Sequence, residues 1–254
     1  MPEPNRPPMI QKVAKIALAI IAPLFLISMS IAPLLSAFQS TDSQAGMSPE
    51  LIQEEIEGYQ AVLEREPDNR VALSGLIELS LQSGNLGAAL EPLEKMVELE
   101  PDDLNLRLIL AQLKMQSGDA AGAVEQYERL VADFPGNPRL EQELLNARVR
   151  AGDFDEAIAM LQERLAEVPE STDIRRDLAA TFVQASQAEA ALPIYDELIA
   201  EDPTDYSYLL GKGMALSATA EDEATFAEAE DLFAQALRLA PPQQREQVEQ
   251  ITEF

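Results

Sequence analysis

Hydrophobic and polar positions recur along this chain with a period of 34 residues, and five prolines mark that period. Each proline closes a stretch whose last residues are charged or small. Because proline cannot continue a helix and moves the residue before it out of the helical region, each is a predicted helix end. The five prolines are Pro67, Pro101, Pro135, Pro169 and Pro203.

Two kinds of apolar residue stand at fixed distances before these prolines. Twelve residues before each of the last four prolines is an alanine, whose small side chain lets two helices approach closely. Eight residues before each proline is a bulky side chain that would fill the space between helices. The alanines are Ala89, Ala123, Ala157 and Ala191, and the bulky residues are Tyr59, Leu93, Tyr127, Leu161 and Tyr195.

A turn signal lies between the helices of each period, 17 residues before the last four prolines. Three glycines and one serine occupy this position, and a polar residue follows each of them. Glycine followed by such a residue is typical of a left-handed helix end and a tight turn. The pairs are Gly84-Asn85, Gly118-Asp119, Gly152-Asp153 and Ser186-Gln187. Each period therefore predicts a helix, a turn, a second helix and a proline stop.

This pattern resembles the tetratricopeptide repeat (TPR) family, whose helix pairs stack into a solenoid. The resemblance covers residues 70–241 as five repeats, with a further second helix over residues 48–67. It implies an all-α TPR helix-turn-helix solenoid over residues 48–241, closed by a polar capping helix over residues 242–254. A sixth proline, Pro241, follows Pro203 by 38 residues, so we expect four extra residues to lengthen the turn near residues 218–223.

An uncharged stretch of 23 residues, 16–38, precedes the repeats. At ~1.5 Å per residue it is long enough for a ~30 Å hydrocarbon layer, so we predict a transmembrane helix there. Residues 1–15 would be cytoplasmic and residues 39–47 a linker. A cleaved signal peptide is the alternative, although its apolar region normally has only about 7–15 residues.

The charges beside this stretch predict its orientation. Arg6, Lys12 and Lys15 precede it, whereas acidic residues follow it. The positive flank stays in the cytoplasm by the positive-inside rule. The predicted location is therefore the plasma (inner) membrane as a single-pass protein, with the repeats extracytoplasmic, in a periplasm or lumen.

The composition excludes several kinds of chemistry. Histidine and cysteine are absent, so Ser/His/Asp or Cys/His catalysis and His- or Cys-ligated metals have no residues to use. The 45 Asp and Glu residues against 18 Lys and Arg give a net charge of −27, which repels nucleic acid. We therefore predict no enzyme activity, no metal, no cofactor, no small-molecule substrate and no nucleic-acid partner.

By the same resemblance, the first helices of the repeats line a concave groove that binds peptides, and polar residues on those helices are the candidate site. In the repeat over residues 138–171, four such residues follow one helical face. They are Arg139, Gln142, Asn146 and Arg150, with Asp173 and Arg176 in the next repeat and Asn105 and Gln112 in the previous one.

Five arginines within residues 139–176 reverse the local sign of the charge: Arg139, Arg148, Arg150, Arg175 and Arg176. A guanidinium group binds a carboxylate through two parallel hydrogen bonds, so an acidic segment or a chain terminus is the predicted ligand. The alternative is that these arginines pair with carboxylates of neighbouring helices and bind nothing.

The predicted function is a membrane-tethered protein–protein interaction scaffold that docks peptide segments or partner subunits in its groove. Its partners would be membrane proteins or their acidic segments, because the linker is short. Resemblance to anchored TPR proteins implies assembly or biogenesis of a membrane complex, for example cytochrome c maturation or photosystem assembly. A self-associating structural organiser of the envelope and a regulatory subunit of a membrane enzyme stay open as alternatives.

Overall fold

The computed structural model describes residues 48–252, and within them it contains twelve α-helices and no β-strand. The chain divides into two compact units, whose described parts are an N-terminal unit over residues 48–151 and a C-terminal unit over residues 152–252. The prediction of an all-α architecture of paired helices is confirmed for these residues.

Each unit contains six helices in chain order. The N-terminal unit has α1 (Pro49–Leu63), α2 (Arg70–Gln82), α3 (Leu86–Leu99), α4 (Leu104–Ser117), α5 (Ala120–Asp133) and α6 (Pro138–Ala151). The C-terminal unit has α7 (Phe154–Glu167), α8 (Thr172–Gln184), α9 (Ala188–Glu201), α10 (Tyr206–Thr219), α11 (Glu223–Leu239) and α12 (Pro242–Thr252).

The predicted helix ends are confirmed by the backbone conformation. Gly118 and Gly152 follow first helices with φ of 90° and 84°, which an L-residue rarely adopts. Phe134 and Val168, directly before prolines, both have φ of −130° and have left the helical region. In these two periods the glycine and the proline therefore end the two helices as the sequence indicates.

A polar residue two positions after each period-marking proline begins the next helix. Asp103 Oδ1 accepts hydrogen bonds from the backbone N–H groups of Asn105 and Leu106, at 2.9 and 3.2 Å. The other four caps are Asn69, Asn137, Ser171 and Asp205. Such a side chain satisfies backbone donors that have no partner within the helix, so each proline stop is joined to the next helix start.

The small and bulky apolar positions lie in the cores of the two units. Ala89 and Ala123 in the N-terminal unit are 0% exposed, and so are their neighbours Leu93 and Tyr127. In the C-terminal unit, a Cβ added at Gly211 would overlap the ring of the buried Tyr195. A helix can approach this closely only where one partner side chain is very small, which explains the alternation of sizes.

The irregular spacing before Pro241 has a different cause from the one expected. Helix α11 has 17 residues, whereas the preceding second helix α9 has 14. The turn before α11 contains only residues 220–222, and Asp222 caps α11 by accepting from the N–H of Thr225 at 2.8 Å. The prediction that all four extra residues lengthen this turn is therefore wrong, because three of them extend the second helix.

The predicted single-pass location in the plasma (inner) membrane, with an extracytoplasmic repeat domain, requires correction. None of the helices within residues 48–252 is long and apolar enough to cross a membrane. The longest of them, α11, has 17 residues and carries five charged side chains, too short and too polar for a ~30 Å hydrocarbon layer. The predicted transmembrane helix over residues 16–38, the segment 1–15 and the linker 39–47 lie outside the described residues.

Candidate functional site

A pocket of about 270 Å³ in the N-terminal unit brings together two of the predicted site residues. Asn105 lies in the first turn of α4 and Arg139 in the first turn of α6, and both line this cavity, called the α4–α6 pocket. The remaining lining residues are Leu104, Leu108, Leu130, Phe134, Asn137, Leu140 and Glu143. The pocket therefore combines an amide, a guanidinium and a carboxylate with an apolar wall.

Arg139 makes no ion pair in this pocket, although its charge acts on the nearby Glu143. Its backbone N–H donates to the capping Asn137 Oδ1 at 3.1 Å, which fixes the start of α6, while its side chain is exposed. Among residues 48–252, no carboxylate lies within ion-pair distance of the Arg139 guanidinium. Although the chain has 45 acidic residues, the Arg139 side chain is thus available to a ligand.

A half-buried carboxylate lies one helical turn after Arg139. Burial raises the pKa of Glu143, and the positive charge of Arg139 offsets that effect only in part. The fully buried Tyr127 also feels this carboxylate, because its pKa is raised first by burial and then by the charge of Glu143. The Arg139 side of the pocket is therefore favourable to an anion, and the Glu143 side is not.

The other predicted residues of α4 and α6 have different environments. Gln142 Nε2 donates to Asn146 Oδ1 at 3.3 Å, so these two amides form a pair one turn apart on α6. Arg150 is exposed near the end of α6. Gln112 is only 8% exposed and lies with the core of its unit, which leaves little of it for a partner to contact.

In the C-terminal unit, the predicted residues Asp173 and Arg176 pair with each other. Arg176 Nη1 lies 2.9 Å from Asp173 Oδ1, and its Nη2 lies 3.1 Å from Asp177 Oδ1. A guanidinium with two carboxylates has little remaining attraction for a third. Arg176 therefore matches the alternative of internal pairing.

Arg148 is also paired, through a contact that repeats along the chain. Its Nη2 lies 2.8 Å from Glu128 on the preceding second helix. At the same two positions one period earlier, Lys114 Nζ lies 2.6 Å from Glu94. Recurrence at equivalent positions indicates a packing role within the repeat, because a ligand contact has no reason to be repeated in this way.

Arg175 takes part in a second repeated ion pair. Its two terminal nitrogens lie 2.7 and 2.8 Å from the two carboxylate oxygens of Glu201. Two periods earlier, Arg107 pairs with Asp133 at the equivalent positions. Of the five clustered arginines, Arg148, Arg175 and Arg176 are thus held by carboxylates.

A second pocket, of about 490 Å³, lies in the C-terminal unit and was not predicted from the sequence. It is called the α8–α10 pocket, and α12 closes one side of it. Its lining residues are Arg176, Asp177, Ala180, Val183, Tyr195, Asp205, Tyr206, Ser207, Leu210, Gly211, Met214 and Gln244. The hydroxyl of Tyr206 donates to Gln244 Oε1, which ties α12 to the start of α10.

The sequence did contain a signal for one residue of this pocket. Asp177 stands one period after Glu143, so the same position on two consecutive first helices carries a carboxylate. Burial raises the pKa of Asp177, as it does that of Glu143, although Arg176 lies beside it. The contribution of Gln244 had no such signal, because α12 falls outside the period.

Comparison with known proteins agrees with the helix-pair architecture. The family model for the tetratricopeptide repeat matches residues 80–145 and 148–213, more than half of the chain. The chain belongs to the tetratricopeptide repeat family. TPR repeats mediate protein–protein interactions, and the fold is generally not enzymatic. No curated protein matches the chain by sequence.

Several solved structures are similar to this chain at low sequence identity, and those described below have TM-scores under 0.5. MamA protein, known from a crystal structure, is 18% identical in sequence to this chain. The alignment covers 67% of this chain and 91% of MamA, with a TM-score of 0.49. YrrB, a TPR protein with an unusual peptide-binding site, is 14% identical over 78% of this chain and 100% of that chain, with a TM-score of 0.48.

A tetratricopeptide repeat protein from Parabacteroides merdae ATCC 43184 covers more of this chain. It is 12% identical over 95% of this chain and 98% of its own length, with a TM-score of 0.48. At these identities and TM-scores, the likenesses carry no argument about the function of this chain. The ligand of this chain has to be inferred from its own side chains.

Proposed function

We propose that this protein is a non-catalytic interaction scaffold whose α4–α6 pocket docks an acidic side chain or a chain terminus of a partner protein. The observation that carries the proposal is the Arg139 guanidinium, which has no carboxylate within ion-pair distance among residues 48–252. Arg150 likewise has no carboxylate within that distance among these residues, but Arg139 also lines the pocket.

The geometry of the pocket supports a carboxylate next to an apolar group. The guanidinium of Arg139 offers two parallel N–H donors, which match the two oxygens of a carboxylate. Phe134 is 41% exposed, although it is large and apolar, and it lies in the same pocket with Leu108. A partner residue that combines an apolar side chain with a carboxylate, such as an apolar C-terminal residue, would use both parts.

Glu143 limits what the pocket accepts. Its carboxylate already lies in a half-buried environment that opposes its ionisation, so a second negative charge on that side would be repelled. The proposal is therefore a single carboxylate at Arg139 and not a run of acidic residues. Asn105, which also lines the pocket, can supply an amide hydrogen bond to the partner backbone.

The remaining predicted residues extend this proposed surface along α6. Gln142 and Asn146 lie within two turns of Arg139, and Arg150 one turn further, so a peptide that continues along the helix would meet them in order. Asp173, Arg176 and Gln112 are left out of the proposed centre, because the first two pair with each other and the third is buried. Assembly of a multi-subunit complex is the role proposed for such docking.

Photocrosslinking in cells tests this function. A photoreactive amino acid at Asn146 should trap one dominant partner protein, identified by mass spectrometry, and Arg139→Glu should abolish the adduct. Arg129→Glu is the matched control, because Arg129 is an exposed arginine on α5 that pairs with Glu125 outside the pocket. Loss of the adduct in both variants, or in neither, would contradict docking at Arg139, as would adducts to the protein itself alone.

A further inference from the structure

The α8–α10 pocket differs in charge from the α4–α6 pocket. Two carboxylates, Asp177 and Asp205, and one guanidinium, Arg176, line it. That guanidinium is shared, because it also pairs with Asp173 at 2.9 Å. Arg176 is thus shared by two carboxylates, and Asp205 adds another to the pocket, in a unit whose described residues 152–252 contain 22 acidic and 6 basic side chains.

Asp177 is the most enclosed of these carboxylates. Its side chain is 13% exposed, and Arg176 donates to its Oδ1 from Nε at 3.3 Å and from Nη2 at 3.1 Å. Burial nevertheless raises the pKa of Asp177, and the charges of Arg176 and the more distant Arg164 do not compensate for it. A further cation in the pocket would stabilise this carboxylate in its ionised form.

Asp205 has a different arrangement that leaves part of it available. Its Oδ1 accepts from the N–H of Ser207 at 2.8 Å and from the Ser207 hydroxyl at 2.6 Å, as the cap of α10. Among residues 48–252, no side chain or backbone group donates to its other oxygen, Oδ2. That oxygen is a further acceptor for a positively charged group.

The rest of the pocket is apolar and adaptable. Val183, Leu210 and Met214 supply its apolar surface. The thioether of a methionine has three rotatable bonds and adjusts to ligands of different shape. A cavity of about 490 Å³ falls within the ~300–1,000 Å³ typical of ligand sites. It has room for an apolar side chain in addition to a cationic one.

We infer that the α8–α10 pocket docks a partner segment that presents a lysine or arginine next to an apolar side chain. The cation would lie between Asp177 and Asp205, and the apolar group against Leu210 and Met214. An anionic segment is disfavoured, because it would face two carboxylates and a guanidinium that is already paired. The inference is independent of the α4–α6 pocket, which would prefer the opposite charge.

A methyl NMR titration of the full chain tests this inference, with the methionine methyl groups labelled with ¹³C. The probe is a short acetylated and amidated peptide with one lysine between two leucines, at an ionic strength of ~0.15 M. A matched peptide has glutamate in place of the lysine. The Met214 signal, assigned from Met214→Leu, reports binding in the pocket, so general attraction to the acidic surface is distinguished from docking.

The lysine peptide should shift the Met214 signal with saturation, and the glutamate peptide should not. Asp177→Asn should weaken binding about tenfold, as expected for the loss of one charged hydrogen bond. Glu230→Gln makes the same charge change at an exposed site on α11 and should change the affinity less than about twofold. Ala180→Arg, which places a cation in the pocket, should abolish the shift.

Three results would overturn the inference. The first is an equal shift of the Met214 signal with both peptides. The second is an equal loss of peptide affinity in Asp177→Asn and Glu230→Gln, which would indicate general attraction to the acidic surface. The third is an unchanged Met214 signal in a folded wild-type chain. Thermal unfolding followed by circular dichroism establishes that each variant is folded, so loss of binding in Asp177→Asn or Ala180→Arg can be assigned to the pocket.

Discussion

Replacement of Ser186 by glycine should stabilise the protein. Ser186 has φ of 59° and is the only non-glycine residue with positive φ within residues 48–252. The equivalent positions of three other periods hold Gly84, Gly118 and Gly152. The left-handed conformation costs an L-residue roughly 1–2 kcal/mol. Glycine loses more backbone entropy on folding, roughly 0.5–1 kcal/mol relative to alanine, so the expected net gain is about 0.5–1 kcal/mol.

Urea unfolding followed by circular dichroism measures this gain as an upward shift of the transition midpoint. Ser186→Ala is the control, because it removes the hydroxyl and keeps the Cβ, and it should bring no gain. Gly118→Ser is the reciprocal change and should lower the midpoint, because Gly118 has φ of 90°. An added Cβ would meet no other atom within 4 Å, so the loss would come from the backbone conformation and not from a steric clash. A Ser186→Gly midpoint equal to or below that of the wild type would refute the strain argument.

Three further changes have outcomes that follow from the structure. Burial raises the pKa of Glu143, so its contribution to stability is present below the unfolded pKa and is lost as the pH rises through the folded pKa. Glu143→Gln should reduce the loss of stability that thermal melts record as the pH rises above the unfolded pKa of about 4.3. In urea titrations, Arg148→Ala should lower the free energy of unfolding by about 0.5–1 kcal/mol, because it removes the ion pair with Glu128. Arg150 has no carboxylate within ion-pair distance among the described residues, so Arg150→Ala should lower it by less than about 0.5 kcal/mol. Gly211→Ala should cost about 1–3 kcal/mol in the same assay, because the added Cβ overlaps the Tyr195 ring, and an unchanged midpoint would contradict that packing.

The helix boundaries followed from the sequence because the residues that end helices act locally. A proline acts on the residue before it, and a glycine with positive φ acts on its own backbone, so Gly118 and Pro135 could be interpreted without any knowledge of the fold. The cap two residues after each proline is equally local. Asn69 and Asp103 stand at the same spacing in the sequence, so the caps too have a sequence signal.

The length of α11 could not be predicted in the same way. The region near residues 218–223 contains no glycine or proline, and whether the extra residues join the turn or the helix depends on where Asp222 caps the helix. The spacing between Pro203 and Pro241 gives only the sum of both lengths. A period therefore indicates that extra residues exist, but packing decides where they go.

The candidate site was harder to predict, because ion pairing depends on contacts between different helices. Arg139 and Arg148 look alike in the sequence, yet Arg148 Nη2 lies 2.8 Å from Glu128 Oε1, whereas the Arg139 guanidinium has no carboxylate within ion-pair distance among the described residues. The repeat does offer one usable signal. Where a basic and an acidic residue both recur one period earlier, they form a structural ion pair. Arg148 and Glu128 recur in this way as Lys114 and Glu94.

The most direct test of the proposed docking compares two peptides that differ only at the C-terminus. Both end in a leucine, one as the free carboxylate and the other as the amide, and fluorescence anisotropy measures their affinity for the full chain. The carboxylate should bind about tenfold more tightly, the value expected for a hydrogen bond between charged groups, and Arg139→Gln should remove that difference. Equal affinity of the two peptides for the wild-type protein, or a preference that persists in Arg139→Gln, would contradict the assignment of Arg139 as the docking residue.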